Sequence, residues 1–113
     1  MILMISSHGD TLESHPNPRF GRTPTFILYN LDEDTWEALK NPAITASGGA
    51  GVAASQFLID HGAQVVISGR FGPNAHQALD AAGIEMLTFD DNHDTILSVV
   101  ESYKSGNLSA KEI

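Results

Sequence analysis

One domain of mixed α/β class is predicted by three observations. The stretch from Ser47 to Ala82, SGGAGVAASQFLIDHGAQVVISGRFGPNAHQALDAA, holds two glycine-rich turns that each feed a helix-like segment, with the apolar strand-like run QVVIS between them. The chain opens on MILMISS, an apolar run of the kind that forms a strand buried on both faces. Its length of 113 residues suits a single core and requires no second domain.

Each element has its own local signal. Ile2 to Ile5 reads as the first strand, ended by Ser6, Ser7 and Gly9. Thr11 to Pro24 contains three prolines and reads as a long ordered loop, the kind of segment that often carries function. Thr25 to Leu31, TFILYNL, is the second strand, rich in aromatic and branched residues. Thr35 to Lys40 is ambiguous, since local propensity alone prefers a helix there. Gly51 to His61 is a helix with Ala54, Phe57 and Leu58 on one face and Gly62 as its stop. Gln64 to Ser68 is a strand, and Pro73 to Ala82 a second helix with proline in its first turn and Gly83 after it. Ile84 to Phe89 is a further strand. Asp94 to Lys104 is a third helix, with Ile96, Val99, Val100 and Tyr103 at helical spacing and Gly106 closing it. The polar residues after Lys104 read as a fraying tail. No internal repeat is evident, and the alternation of helix and strand in the second half predicts parallel crossovers.

Composition narrows the function classes. Fourteen carboxylates against 6 Lys and Arg give a net charge of −8, which opposes attraction to nucleic acid or to anionic membranes. There is no cysteine, so a metal would have to be held by His, carboxylate, amide or backbone groups. The N-terminus lacks a basic leader and no apolar run reaches membrane-spanning length, so a cytoplasmic protein without a membrane or nucleic-acid partner is expected.

The two glycine turns point to an anion. The free N–H groups and positive dipole of a helix's first turn favour negative charge, and two such termini are expected to face one spot. Gly49-Ala50-Gly51-Val52-Ala53-Ala54 matches a relaxed dinucleotide fingerprint, but Ser68, Gly69 and Arg70 stand where a ribose-binding acid belongs. A two-metal nuclease would need carboxylates on the first and central strands, and neither has one. No serine-hydrolase elbow is present, and Ser47, Ser55 and Ser68 have no assigned base. Asp90, Asp91 and Asp94 read as caps and dipole partners of the third helix.

A specific resemblance then emerges. RFGR at Arg19 to Arg22 before an aromatic strand, the SGGAGVAA turn, and SGRFGPNAHQALDAAGI are together similar to the dinitrogenase iron-molybdenum cofactor biosynthesis family over roughly residues 1–104. The most specific part is Gly72-Pro73-Asn74 followed by Ala78, Ala82 and Gly83. This resemblance implies a ribonuclease H-like fold, a mixed five-stranded sheet with three helices in the order β-β-β-α-β-α-β-α, and so assigns Thr35 to Lys40 to a strand. It implies a non-enzymatic carrier or scaffold for an anionic metal-sulfur cluster: the iron-molybdenum cofactor, an iron-sulfur precursor or a related molybdenum-sulfur species. Cofactor-assembly proteins are the implied partners. The alternative is a small regulatory protein that docks a partner ATPase or radical enzyme without a cluster.

The candidate binding residues are Arg19, Phe20, Arg22, Gly49, Gly51, Phe71, Gly72 and Asn74. Arg19 and Arg22 would supply charge, the glycines and Asn74 hydrogen-bond donors, and Phe71 shelter from water. In the family's nitrogenase-dedicated carriers a histidine precedes the Phe-Gly of the first loop. Arg19 stands there in this chain, and a guanidinium pairs with anions but does not ligate metal. His15, on the long loop, and His76, in the first turn of the second helix, are the candidate metal ligands. His8 and His15 could both reach the ligand turn, although each also reads as a polar loop residue. His61 suits a helix C-terminus, and His93 reads as part of a solvated turn.

Overall fold

The apolar opening run becomes β1 (Ile2–Ser7), whose residues from Leu3 to Ser7 are all buried because it lies in the middle of the sheet. A computed structural model describes residues 1–45 and 48–110; Ser47, the first residue of the glycine motif, lies outside them. β1 pairs antiparallel with β2 (Thr25–Asn30) on one side and parallel with β4 (Val65–Ser68) on the other. β3 (Thr35–Lys40) pairs antiparallel with β2 in unbroken register from Thr25↔Lys40 to Asn30↔Thr35. Tertiary pairing thus overrides the helical propensity of TWEALK. The turn between them is set by Asn30, whose Oδ1 accepts from Asp32 N at 3.0 Å and Glu33 N at 3.3 Å.

The second half alternates as its pattern predicts: α1 (Ala50–Asp60), β4, α2 (Pro73–Ala81), β5 (Glu85–Thr88) and α3 (Ile96–Lys104). β4 and β5 are parallel, and the order across the sheet is β3-β2-β1-β4-β5-β6. The five expected strands and three helices are therefore present, with the ribonuclease H-like arrangement. A sixth strand, β6 (Ser109–Ala110), adds two residues antiparallel to β5. Part of the segment expected to fray is in this way tied to the sheet. A single 3-10 turn, Pro42–Thr45, precedes α1.

All three helices stop by one device. The residues after the C-caps, Gly62, Gly83 and Gly106, have φ of 79°, 75° and 73°, and the next N–H folds back: Ala63 to Leu58 O, Ile84 to Leu79 O and Asn107 to Ser102 O. Glycine enters this left-handed conformation without a Cβ penalty. The start of α3 differs from expectation. Its cap is Thr95, in a reciprocal capping box with Ser98, and no acid lies in the first turn.

Alternation along β1 divides the core between the two faces of the sheet. Met4, with Phe26, Val66 and Met86, packs against Ala54, Leu58, Ala75 and Leu79 of α1 and α2. Leu3 and Ile5, with Ile27, Val65, Ile67 and Leu87, pack against Ile96, Val99 and Val100 of α3. Among the described residues no helix is long and apolar enough to cross a membrane.

Candidate functional site

The loop between β1 and β2 crosses the carboxyl ends of the parallel strands β1 and β4. That is where open α/β sheets place ligands. Buried polar groups hold it there. Ser6 Oγ lies 2.6 Å from Asn17 O and 2.8 Å from Ser68 Oγ, and Thr23 Oγ1 accepts from Ser7 N at 3.0 Å. Asn41 Nδ2 donates to Gly21 O at 3.2 Å and to Thr23 O at 2.9 Å. These groups are desolvated and satisfied, so loop and sheet form one rigid unit.

The tripeptide Arg-Phe-Gly occurs twice, at residues 19–21 and 70–72, and the structure lays the two copies side by side. Arg19 and Arg70 form a parallel bridge: Arg70 N donates to Pro18 O at 2.7 Å and Phe20 N to Arg70 O at 3.3 Å. The Phe20 and Phe71 rings lie 5.3 Å apart, and Phe20 also packs on Phe26 at 5.5 Å. Gly69 permits this approach, because a Cβ there would lie 2.7 Å from Pro18 Cα. The repeat is too short to register as self-similarity in the sequence. It becomes meaningful only once the fold pairs residues fifty-one positions apart.

A cavity of about 420 Å³ opens over this pairing, lined by Arg19, Phe20, Gly21, Arg22, Arg70, Phe71 and Gly72. Every arginine in the chain lines it. Arg22 also donates from Nη1 to Ile44 O at 3.3 Å. Phe20 is 1% exposed and Phe71 8%, so the aromatic rings form a fixed apolar floor beneath exposed guanidiniums. Among the described residues no carboxylate lines the cavity. It is a compact cationic spot on an acidic protein, and guanidinium groups offer several fixed donors to anionic or planar oxo and sulfido ligands.

Five of the residues singled out from sequence, Arg19, Phe20, Arg22, Phe71 and Gly72, line this one cavity. Gly49, Gly51 and Asn74 do not. The first turns of α1 and α2 do meet, but on each other: a Cβ at Gly51 would lie 3.2 Å from Ala75 Cβ, and one at Gly21 would lie 3.1 Å from Gly51 N. Gly51 is therefore a packing residue between α1, α2 and the loop. Only the α2 terminus, through Gly72, reaches the cavity lining. Arg70, in sequence only a misfit to the dinucleotide pattern, joins the lining as well, and the repeated Arg-Phe-Gly is the one sequence signal for it.

The histidines separate. His15 lines a different cavity of about 520 Å³ with His8, Gly9, Ser14 and Pro16, and among the described residues the two cavities share no lining residue. His76 lines neither cavity, and its Nδ1 is buried with no hydrogen-bond partner among the described residues. His61 Nδ1 lies 2.8 Å from Phe57 O at the end of α1, a structural contact as expected. His93 is more ordered than a solvated turn: Nδ1 meets Asp90 Oδ1 at 3.0 Å and Nε2 meets Ser102 Oγ at 2.9 Å. The Asn92 backbone N–H, and then His93, hold the Asp90 carboxyl below its usual range. This chain of contacts has the order of a catalytic triad, but neither cavity described above includes Ser102, and the contacts tie the turn to α3.

Fold and site together define a small α/β protein with a cationic surface cavity at the carboxyl ends of its parallel strands. The chain belongs to the dinitrogenase iron-molybdenum cofactor family, whose model matches residues 1–106. It is similar to the apo form of the orange protein from Desulfovibrio gigas, with 32% identity, a TM-score of 0.91 and coverage of 97% of this chain and 92% of that one. It is also similar to a putative NifB protein from Thermotoga, with 28% identity, a TM-score of 0.84 and coverage of 96% and 91%. No curated protein matches it. The match relates the chain to iron-molybdenum cofactor biosynthesis and so to nitrogen fixation.

Proposed function

We propose that this protein is a non-enzymatic carrier or scaffold that holds an anionic metal-sulfur cluster, or a related oxyanion, in the arginine cavity. The observation that carries this reading is the convergence of all three arginines on one cavity in a chain of net charge −8. Such convergence concentrates positive potential at a single point and leaves the rest of the surface repellent to nonspecific polyanions. Arg19 and Arg70, held in register by the backbone bridge, grip the cargo from two sides, Arg22 closes a third, and the Phe20 and Phe71 rings exclude water beneath it. A guanidinium offers several N–H donors and no acceptor, so these residues bind an anion by charge and hydrogen bonding. The family points to the iron-molybdenum cofactor, an iron-sulfur precursor or a molybdenum-sulfur anion as cargo. Cofactor-assembly proteins of the cytoplasm are the corresponding partners.

The test is anaerobic titration of tag-free protein with thiomolybdate, and separately with iron plus sulfide, followed by gel filtration. Wild type should retain visible absorbance and gain thermal stability. Arg19→Ala and Arg70→Ala should each weaken retention by roughly ten- to a hundredfold, the value of about one charge-assisted hydrogen bond. Neither absorbance nor stabilisation in wild type overturns the reading. A partner ATPase captured equally well by the ligand-free protein and by Arg19→Ala would favour the docking alternative.

A further inference from the structure

The second cavity carries a chemistry opposite to that of the first. Ser7 and Pro16 form an antiparallel bridge, and His8 N donates to His15 O at 2.9 Å. Continuing that register by one residue in each direction places His8 directly across from His15. Side chains directly opposite in an antiparallel pair stand on the same side with Cβ atoms about 4.5–5.5 Å apart. The shared cavity, lined by both residues, agrees with this placement. Two imidazoles at that spacing can reach a single metal ion between them.

The platform beneath them is fixed. Ser14 O accepts from Ile96 N and Leu12 O from Leu97 N, each at 2.9 Å, so the loop caps the first turn of α3 while presenting the histidines. Asn17, 6% exposed, sets its Nδ2 at 3.5 Å from His8 Nδ1 and accepts from Arg19 N through Oδ1 at 2.9 Å. His15 has no side-chain hydrogen bond among the described residues. The local charge also suits a cation, since Asp10 and Glu13 lie in this stretch and no Lys or Arg precedes Arg19.

We infer that His8 and His15 form a two-imidazole site for a late first-row divalent metal ion, separate from the arginine cavity. Imidazole nitrogen favours nickel, copper and zinc over magnesium and calcium, which prefer oxygen. No group of three or more His, Cys, Asp or Glu is assembled among the described residues, so two protein ligands leave the remaining positions to water or to an incoming ligand. The site is a docking point for an exchangeable ion, in contrast to a closed structural centre.

Calorimetric titration of tag-free, metal-stripped protein with Ni²⁺ and with Zn²⁺ tests this. One equivalent should bind. His8→Ala and His15→Ala should each weaken binding by about tenfold or more, while His61→Ala and the double variant Arg19→Ala/Arg70→Ala leave it unchanged. Both histidines are exposed, so the variants should melt close to wild type. Independently of any variant, paramagnetic Ni²⁺ should broaden the imidazole resonances of His8 and His15 before those of His61, His76 and His93. No binding by wild type, undiminished binding by His8→Ala/His15→Ala, or first broadening at another histidine would overturn the assignment.

Discussion

The two halves of the loop between β1 and β2 lie on opposite faces of the sheet. The first half buries Leu12 against the α3 core and presents His8 and His15; the second drives Phe20 into the α1 and α2 core and presents Arg19 and Arg22. One half offers lone pairs suited to a metal ion, and the other permanent cations suited to an anion. A loop that crosses the end of a central strand can thus keep two incompatible chemistries within one short segment, with the buried Ser6, Ser7, Asn17 and Thr23 pinning the point where it changes sides.

The sharpest way to break that division is to remove the anchor of the arginine half. Phe20→Ala deletes a fully buried ring and should cost about 3–5 kcal/mol in urea unfolding; a loss under about 1 kcal/mol would show that Phe20 is not the anchor. Gly69→Ala attacks the same half more gently. Its new Cβ would press on Pro18 and separate Arg19 from Arg70, at a cost of about 1–3 kcal/mol and with weaker anion retention, while Ni²⁺ binding persists.

On the other half, Thr95→Ala removes the capping box at the helix start that the loop also caps, and should cost about 1 kcal/mol. Hydrogen exchange should then accelerate at Ile96 and Leu97 and stay unchanged at Phe20 and Arg70; acceleration at both sets would deny that the halves are independent.

The smallest effect lies away from both halves. Lys104 Nζ, followed by the Tyr29 hydroxyl, hydrogen-bonds Asp34 and holds its carboxyl below its ordinary value. A group with a lowered folded pKa stabilises above its unfolded value, and that contribution disappears as pH falls through the folded value. Asp34 pairing with Lys104 in turn raises the lysine, and burial followed by the Asp34 hydrogen bond raises Tyr29, so their contributions are lost only as pH climbs past their ordinary values of 10.5 and 10.0. Asp34→Asn should therefore flatten the acid limb of a stability-pH curve below about pH 4 and leave both cavities intact; an unchanged acid limb would show the contact to be inert. Asparagine also tolerates the positive φ of 53° at this position.

What sequence made legible was whatever rests on local chemistry. Glycine stops, the proline at the start of α2 and the apolar periodicity of α3 locate the second half to within a few residues, and the local motifs RFGR and RFGPN mark Arg19, Phe20, Arg22, Phe71 and Gly72, which share one cavity. What it concealed depends on distant pairing. Arg70 gains its place in the cavity lining from the bridge to Arg19, and His8 its place beside His15 from the strand register, while β3, whose local propensity favours a helix, is a strand because β2 supplies an edge to pair with. Gly51 shows a related limit: a glycine in a helix's first turn looks the same in sequence whether it faces a ligand or, as here, packs closely against a neighbouring helix.

β3 pairs with β2 along one side, and among the described residues no strand pairs with its other side along its six residues. An open edge of that length is a template on which a second chain can stack and grow. Glu37 and Lys40 stand exposed along it, beside a half-open Trp36 at 39%. Their charges discourage self-association there, so replacing both with apolar residues would favour edge-to-edge aggregation without touching either cavity.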